Sequence, residues 1–222
     1  MHKRVVIVGA SRGIGKALAE HFANEGHEVF VLSRKPIQTD LPIYYHPFDL
    51  EKNVSQQAKE LFTQIGGSFD ILINNAGLLV NKAFPELTHE DISRCYQVNV
   101  IGVMETVQSI LPYLNDKAHI VNISSMGGFQ GSMKFAGLSA YSTSKAAICS
   151  FTELFAEEYK ESSLSMNCLC LGAVQTEMLE EAFPGYTAPI QPREMATYIS
   201  DFALNGHKYF KGKILPVSLS TP

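Results

Sequence analysis

Tyr141 and Lys145 stand four residues apart in "AYSTSKAAICSFTELF". In a helix that spacing puts a phenol and an ammonium on one face, a turn apart. Tyrosine titrates near about 10, so at neutral pH it is a slow proton donor and a poor base unless its phenolate is stabilised. An opposite charge within about 4 to 6 Å lowers such a pKa by roughly 1 to 3, which Lys145 is placed to do. The same pair would also decorate any amphipathic helix that contained it. Ser125 ends the apolar run "HIVNISS", 16 residues before Tyr141. A hydroxyl held at a strand end is a preorganised donor for an oxygen that gains charge. Ser124, pointing the other way if the strand persists, is the alternative.

A second group of residues sits in "VVIVGASRGIGKALAE", where Gly9, Gly13 and Gly15 lie between a strand and a helix. Glycine lets the backbone turn sharply and approach a pyrophosphate, and the helix N-terminus offers N–H donors to it. The spacing is GxxxGxG rather than GxGxxG, but the strand-to-helix setting is the one a dinucleotide turn requires. The next strand ends "VLSRKP", with Ser33, Arg34 and Lys35 and no carboxylate. An acidic residue there would favour the ribose hydroxyls of NAD; cations there, with Arg12 from the turn, favour the 2′-phosphate of NADP. NADP(H) is the preferred cofactor on this reading and NAD(H) a possible one. The bland alternative leaves the three cations solvated.

Such groups need a frame. Short β-branched or apolar runs ("RVVIVG", "EVFVLS", "IYYHPF", "DILINNAG", "HIVNISS", "SMNCLCLG", "KILPVS") alternate with helical patterns near 13–25, 53–65, 88–111, 141–160 and 192–204. This alternation predicts a three-layer, doubly wound parallel α/β sheet, and its near-continuous apolar strands predict cover on both faces. One domain spanning 1–222 accounts for the chain, with substrate-contacting loops expected at about 126–140 and 175–192, after strand C-termini. Met126, Phe129, Met133 and Phe135 suggest an apolar wall in the first loop, although aromatics packing onto the domain would read the same.

Composition narrows the field. A chain of 222 residues with 45% hydrophobic content can bury a sizeable core. Its 18 basic and 22 acidic residues carry no basic stripe, so neither nucleic acid nor an anionic membrane is favoured as partner. No stretch approaches the roughly 18 apolar residues of a spanning helix, and "MHKRVVIVG" lacks a signal-peptide core, which makes a cytoplasmic location the expectation. Cys95, Cys149, Cys168 and Cys170 lack CxxC spacing and read as small core residues in a reducing compartment, and no His pair has ligand spacing. No metal is expected.

Six stretches in order, "GASRGIG", "FDL", "NNAG", "NVIG", "ISS" and "YSTSK", resemble the short-chain dehydrogenase/reductase family of single Rossmann domains, over nearly the whole chain. The resemblance implies an oxidoreductase interconverting a carbonyl and a secondary alcohol. Tyr141 would be the acid/base, Lys145 would tune it and bind the nicotinamide ribose, Ser125 would orient the substrate oxygen, and Asn99 would hold a relay water. The resemblance also implies cofactor contacts from Gly9, Ser11, Arg12, Gly13, Ile14, Gly15, Ser33, Arg34, Asp49, Leu50, Asn75, Ala76, Gly77, Val174 and Thr176. Without it, Asp49 and "NNAG" read as turn residues and Asn99 as a structural Asn bonded to a neighbouring helix.

The chain departs from the family pattern at Val8, where Thr is usual, and at Leu171, where Pro is usual. The interval from Ser125 to Tyr141 is also a few residues long. Two other functions fit the motifs: an NADP-binding sensor without turnover, and a dehydratase or epimerase that keeps the cofactor. The resemblance further implies a homodimer or homotetramer built on the helices beginning near Thr88 and Tyr141, although Phe151, Leu154 and Phe155 read equally as core.

Overall fold

Branched and aromatic side chains pack well on a pleated surface, and the Val- and Ile-rich runs do form strands. The computed structural model describes residues 2–219; positions 1 and 220–222 of the expected domain lie outside the described residues. β1 (Arg4–Val8), β2 (Glu28–Ser33), β3 (Ile43–Pro47), β4 (Phe69–Asn74), β5 (Leu114–Ser125), β6 (Ser165–Leu171) and β7 (Ile214–Val217) make one sheet. The order is β3-β2-β1-β4-β5-β6-β7 and every pairing is parallel.

Alternation along each strand builds two cores. Val5, Ile7, Val29, Val31, Ile71 and Ile73 face α1 (Gly13–Asn24) and α7 (Pro192–Asn205), where Leu18, Phe22, Ile199 and Phe202 close the layer. Val6, Val8, Phe30, Leu32, Leu72 and Ile120 face the other way, onto α2 (Val54–Ile65), α4 (Gly102–Ile110) and α5 (Ser139–Glu158), through Phe62, Val107, Ile110 and Phe155. Burying each of these side chains contributes about 1.5 to 3 kcal/mol, which is why the hydrophobic pattern sets the strand register.

Strand order reverses between β1 and β4, so the loops leaving their C-terminal ends diverge and open a crevice. Two elements differ from expectation. The helix predicted over 88–111 is interrupted: α3 (His89–Tyr96) passes into a π-helical turn at Gln97–Ile101 before α4. The reason lies in Asn99, which is fully buried and turns inward to bond partners off the helix. The 175–192 stretch, read as loop, carries α6 (Glu177–Ala182), started by Thr176, whose hydroxyl accepts from Leu179 N at 3.3 Å.

Candidate active site

The glycine turn is shaped by contacts that exclude side chains. Gly9 has φ 84° and Gly13 φ 57°, where other residues are strained. A Cβ on Gly9 would lie 2.5 Å from Ala76 Cα, and one on Gly15 would strike the Gly9 carbonyl. Asn75 Nδ2 donates to that carbonyl at 2.6 Å, while the N–H groups of Asn75 and Ala76 both donate to Val8 O. "NNAG" and the turn are thereby knitted together, which the sequence could only suggest by adjacency. Ile14 packs into the α1 core, and half-buried Ser11 completes the turn. Arg12 at the N-cap makes no side-chain cap and the first turn of α1 has no acidic residue, so its N–H donors are left for an anion. This bare turn, its helix N-terminus and the cations beside it fit the pyrophosphate of a dinucleotide.

Two of the three cations predicted to meet a 2′-phosphate, Arg12 and Arg34, are already engaged. Arg12 makes a two-pronged ion pair with Glu181 of α6, its second prong Nη2–Oε2 at 3.2 Å. Arg34 lies 3.7 Å from Glu51, which also accepts from Arg94 Nε at 2.7 Å. Ser33 is buried and donates to Lys35 O at 2.7 Å. Asp49 accepts from Glu51 N at 3.1 Å, and buried Leu50 packs beneath Gly102.

At the catalytic end, Ser125 closes β5 and accepts from Gly127 N at 3.2 Å. Ser124 faces away, buried, and donates to Lys145 O at 2.8 Å, so strand alternation separates the two serines as expected. Lys145 is buried; its Nζ donates to Ile123 O at 2.9 Å and lies 5.9 Å from the centre of the Tyr141 ring. Burial pushes Tyr141 up to about 12, with the Ser125 hydroxyl opposing the rise, and burial brings Lys145 down to about 8. The Lys145 ammonium is directed to the Ile123 carbonyl, and in this arrangement burial and the Ser125 hydroxyl set the position of Tyr141.

Asn99 Nδ2 donates to Leu78 O and to Ser144 Oγ, each at 2.9 Å, and its Oδ1 accepts from Leu78 N at 2.7 Å. Ser144 in turn donates to Tyr141 O at 2.7 Å, tying the π turn to the first turn of α5. Both amide protons of Asn99 are used while Oδ1 keeps acceptor capacity. A Cβ on Gly77 would lie 3.3 Å from Lys145 Nζ and 3.6 Å from Asn99 Oδ1, so this glycine borders both groups.

After β6, Gly172 N donates to Val217 O at 2.9 Å, so Leu171 continues the strand and the turn survives without proline. Val174 bridges Ile190, and Thr176 caps α6 while its methyl approaches the Gly13 position. A cavity of about 860 Å³ opens here, lined by Gly13, Lys16, Thr176, Glu177, Glu181 and Arg193, beside the glycine turn rather than over Tyr141. Asn81, unremarked in the sequence, donates to Ala182 O at 2.9 Å, and its neighbour Lys82 donates from N to Gly137 O at 3.0 Å. That segment therefore touches both loops flanking the site. Neither Asn81 nor Glu181 carried a sequence signal, since each finds its partner only through the fold.

The cysteines are buried, as expected, but not scattered: Cys149, Cys168 and Cys170 meet between α5 and β6. No helix among the described residues is long and apolar enough to cross a membrane.

Similarity to known proteins agrees with this geometry. The 3-ketodihydrosphingosine reductase of Bacteroides thetaiotaomicron is 35% identical over 157 residues, 69% of this chain and 57% of that protein. The 3-oxoacyl-[acyl-carrier-protein] reductase of Thermotoga maritima is 30% identical over 192 residues, 81% of this chain and 77% of that one. Among solved structures, the aldohexose dehydrogenase of Thermoplasma acidophilum superposes with a TM-score of 0.86 at 26% identity, covering 100% of this chain and 97% of that one. A short chain dehydrogenase from Shigella flexneri complexed with NADP gives 0.87 at 25% identity, covering 97% of each. Residues 3–187 match the family described as short chain dehydrogenase. The chain belongs to that family and is an NAD(P)-dependent oxidoreductase.

Proposed function

We propose that the protein interconverts a carbonyl and a secondary alcohol with NADP(H) as preferred cofactor, and that Tyr141 is its acid/base. The observation that carries this reading is the convergence of Ser125, Tyr141 and Lys145 within reach of Gly77 and Asn99, at the crevice where the glycine turn ends. When bound, the nicotinamide supplies the hydride to carbonyl carbon in reduction and takes it back in oxidation. Tyr141 gives its phenolic proton to the oxygen that becomes the alcohol, and Ser125 orients that oxygen. Lys145 stabilises the phenolate left behind, and a water on the spare lone pair of Asn99 Oδ1 returns the proton. Arg12 and Arg34 exchange their carboxylate partners for the 2′-phosphate.

The loops at about 126–140 and 175–192 frame the substrate. Exposed Met133 and Phe135 support an apolar wall in the first, and the substrate is read as a small carbonyl compound. The protein is further proposed to act in the cytoplasm and to assemble as a homodimer or homotetramer. Ile101 and Met104 at the π turn and α4, with Leu154 on α5, leave apolar side chains 46%, 44% and 61% exposed, which supports association along these helices. The test is net NADPH oxidation against a panel of ketones, aldehydes and quinones. Product formation without cofactor consumption would instead indicate a dehydratase or epimerase.

A further inference from the structure

We propose that Cys149, Cys168 and Cys170 form a binding site for one thiophilic divalent cation of the zinc group, held by three thiolates between α5 and β6 behind Lys145. Cys168 and Cys170 are two apart in a strand, so both side chains point to the same face of the sheet. α5 crosses that face and lays Cys149, one turn beyond Lys145, against them. Cys149 Sγ is 4.0 Å from Cys168 Sγ and 3.5 Å from Cys170 Sγ, and all three sulfurs lie within 4.8 Å of one another. Three sulfurs each about 2.3 Å from one ion stand roughly 3.5 to 4 Å apart. Two sides of the observed triangle match such a shell and the third is no longer than 4.8 Å.

The surroundings select the ion. Val103, Met126 and Ile148 wall the cluster, whose ligands are mainly sulfur; thiolates suit soft ions, whereas hard ions need a full shell of oxygen ligands and water. Binding releases three thiol protons to solvent and converts a divalent cation and three thiols into a complex of net charge −1. A buried charge needs a partner, and buried Lys145, one turn before Cys149 on α5, supplies a cation beside the cluster. Ser124 Oγ, 3.5 Å from Cys149 Sγ, is placed to complete a fourth position. No linear motif announces this site, because one ligand comes from a helix and two from the next strand.

The site itself does not depend on the reading of the cleft; only an effect on turnover would, since the complex would hold Lys145 against the sheet. The test uses the full chain with reduced thiols and Cd²⁺ as probe, read by the ultraviolet thiolate-to-cadmium absorption. The expected result is a band that saturates at one equivalent, is displaced by Zn²⁺, and is lost in Cys149→Ala and in Cys168→Ala. The Cys95→Ala variant, altered outside the cluster, keeps it. Thermal unfolding of each variant reports its fold, and Cys170→Ser replaces any that fails. A wild-type protein giving no band after prolonged incubation, or a folded Cys149→Ala variant retaining it, would overturn the assignment.

Discussion

Glu181 and Gly77 each touch residues expected to do chemistry at the site. Glu181 neutralises Arg12, and the pair is solvent-exposed and therefore weak. If Arg12 receives the 2′-phosphate of NADPH as proposed, that phosphate must displace this carboxylate, so Glu181→Gln should tighten NADPH binding by up to roughly fivefold and leave NADH unchanged. Paired fluorescence titrations check it, and equal changes for both cofactors would contradict the role given to Arg12. Gly77 keeps the edge of the Lys145 and Asn99 pair clear. In Gly77→Ala a methyl would sit 3.3 Å from Lys145 Nζ, tighter than ordinary contact. Displacing the ammonium should lower kcat about tenfold with little loss of fold, as steady-state kinetics and circular dichroism would show.

Elements differ in how far the sequence discloses them. Strands β1, β2, β4 and β6 are legible because each is a buried parallel strand whose β-branched and apolar run permits little else, and the glycine turn is legible because its neighbours are. The π turn at Gln97–Ile101 is not, since its apolar spacing matches a continuous helix and only the off-helix partners of Asn99 widen it. Nor is α6, six residues long, which rests on the Thr176 cap and on Arg12, Asn81 and their distant contacts. The cysteine triangle is likewise invisible until α5 lies on β6.

His119 belongs to this scale, because it pins β5 to β6 and α7. Its Nδ1–H donates to Ala203 O and its Nε2 accepts from Asn167 Nδ2, each at 2.9 Å, a pattern that requires the neutral ring. Burial brings its pKa down to about 4, against 6.5 when unfolded. Between those values the unfolded chain binds the extra proton, so stability falls as pH drops from about 6.5 to about 4 and this loss is complete below that, on the order of 3 kcal/mol. Partly buried His27, His46 and His207 are lowered too and add in the same direction. Asp91, held at about 2 chiefly by its hydrogen bond from Lys82, titrates in a separate, lower window. Urea unfolding against pH should show the slope in wild type and a reduced one in His119→Gln.

Over the whole molecule, the candidate site residues follow the C-terminal ends of β1 to β6, and Ile101, Met104 and Leu154 stand exposed among polar residues on the outer side of the π turn, α4 and α5. If copies associate there, Leu154→Glu should yield a monomer in light scattering with the fold unchanged, whereas an unaltered oligomer would remove α5 from the interface.

Tyr141 is the proposed proton donor. Its most direct test is steady-state NADPH oxidation by wild type and Tyr141→Phe with a carbonyl substrate found in the panel, with NADPH binding measured alongside. The expected result is a fall in kcat of about 100-fold or more while NADPH still binds. Turnover by the Phe variant at the wild-type rate would contradict the account.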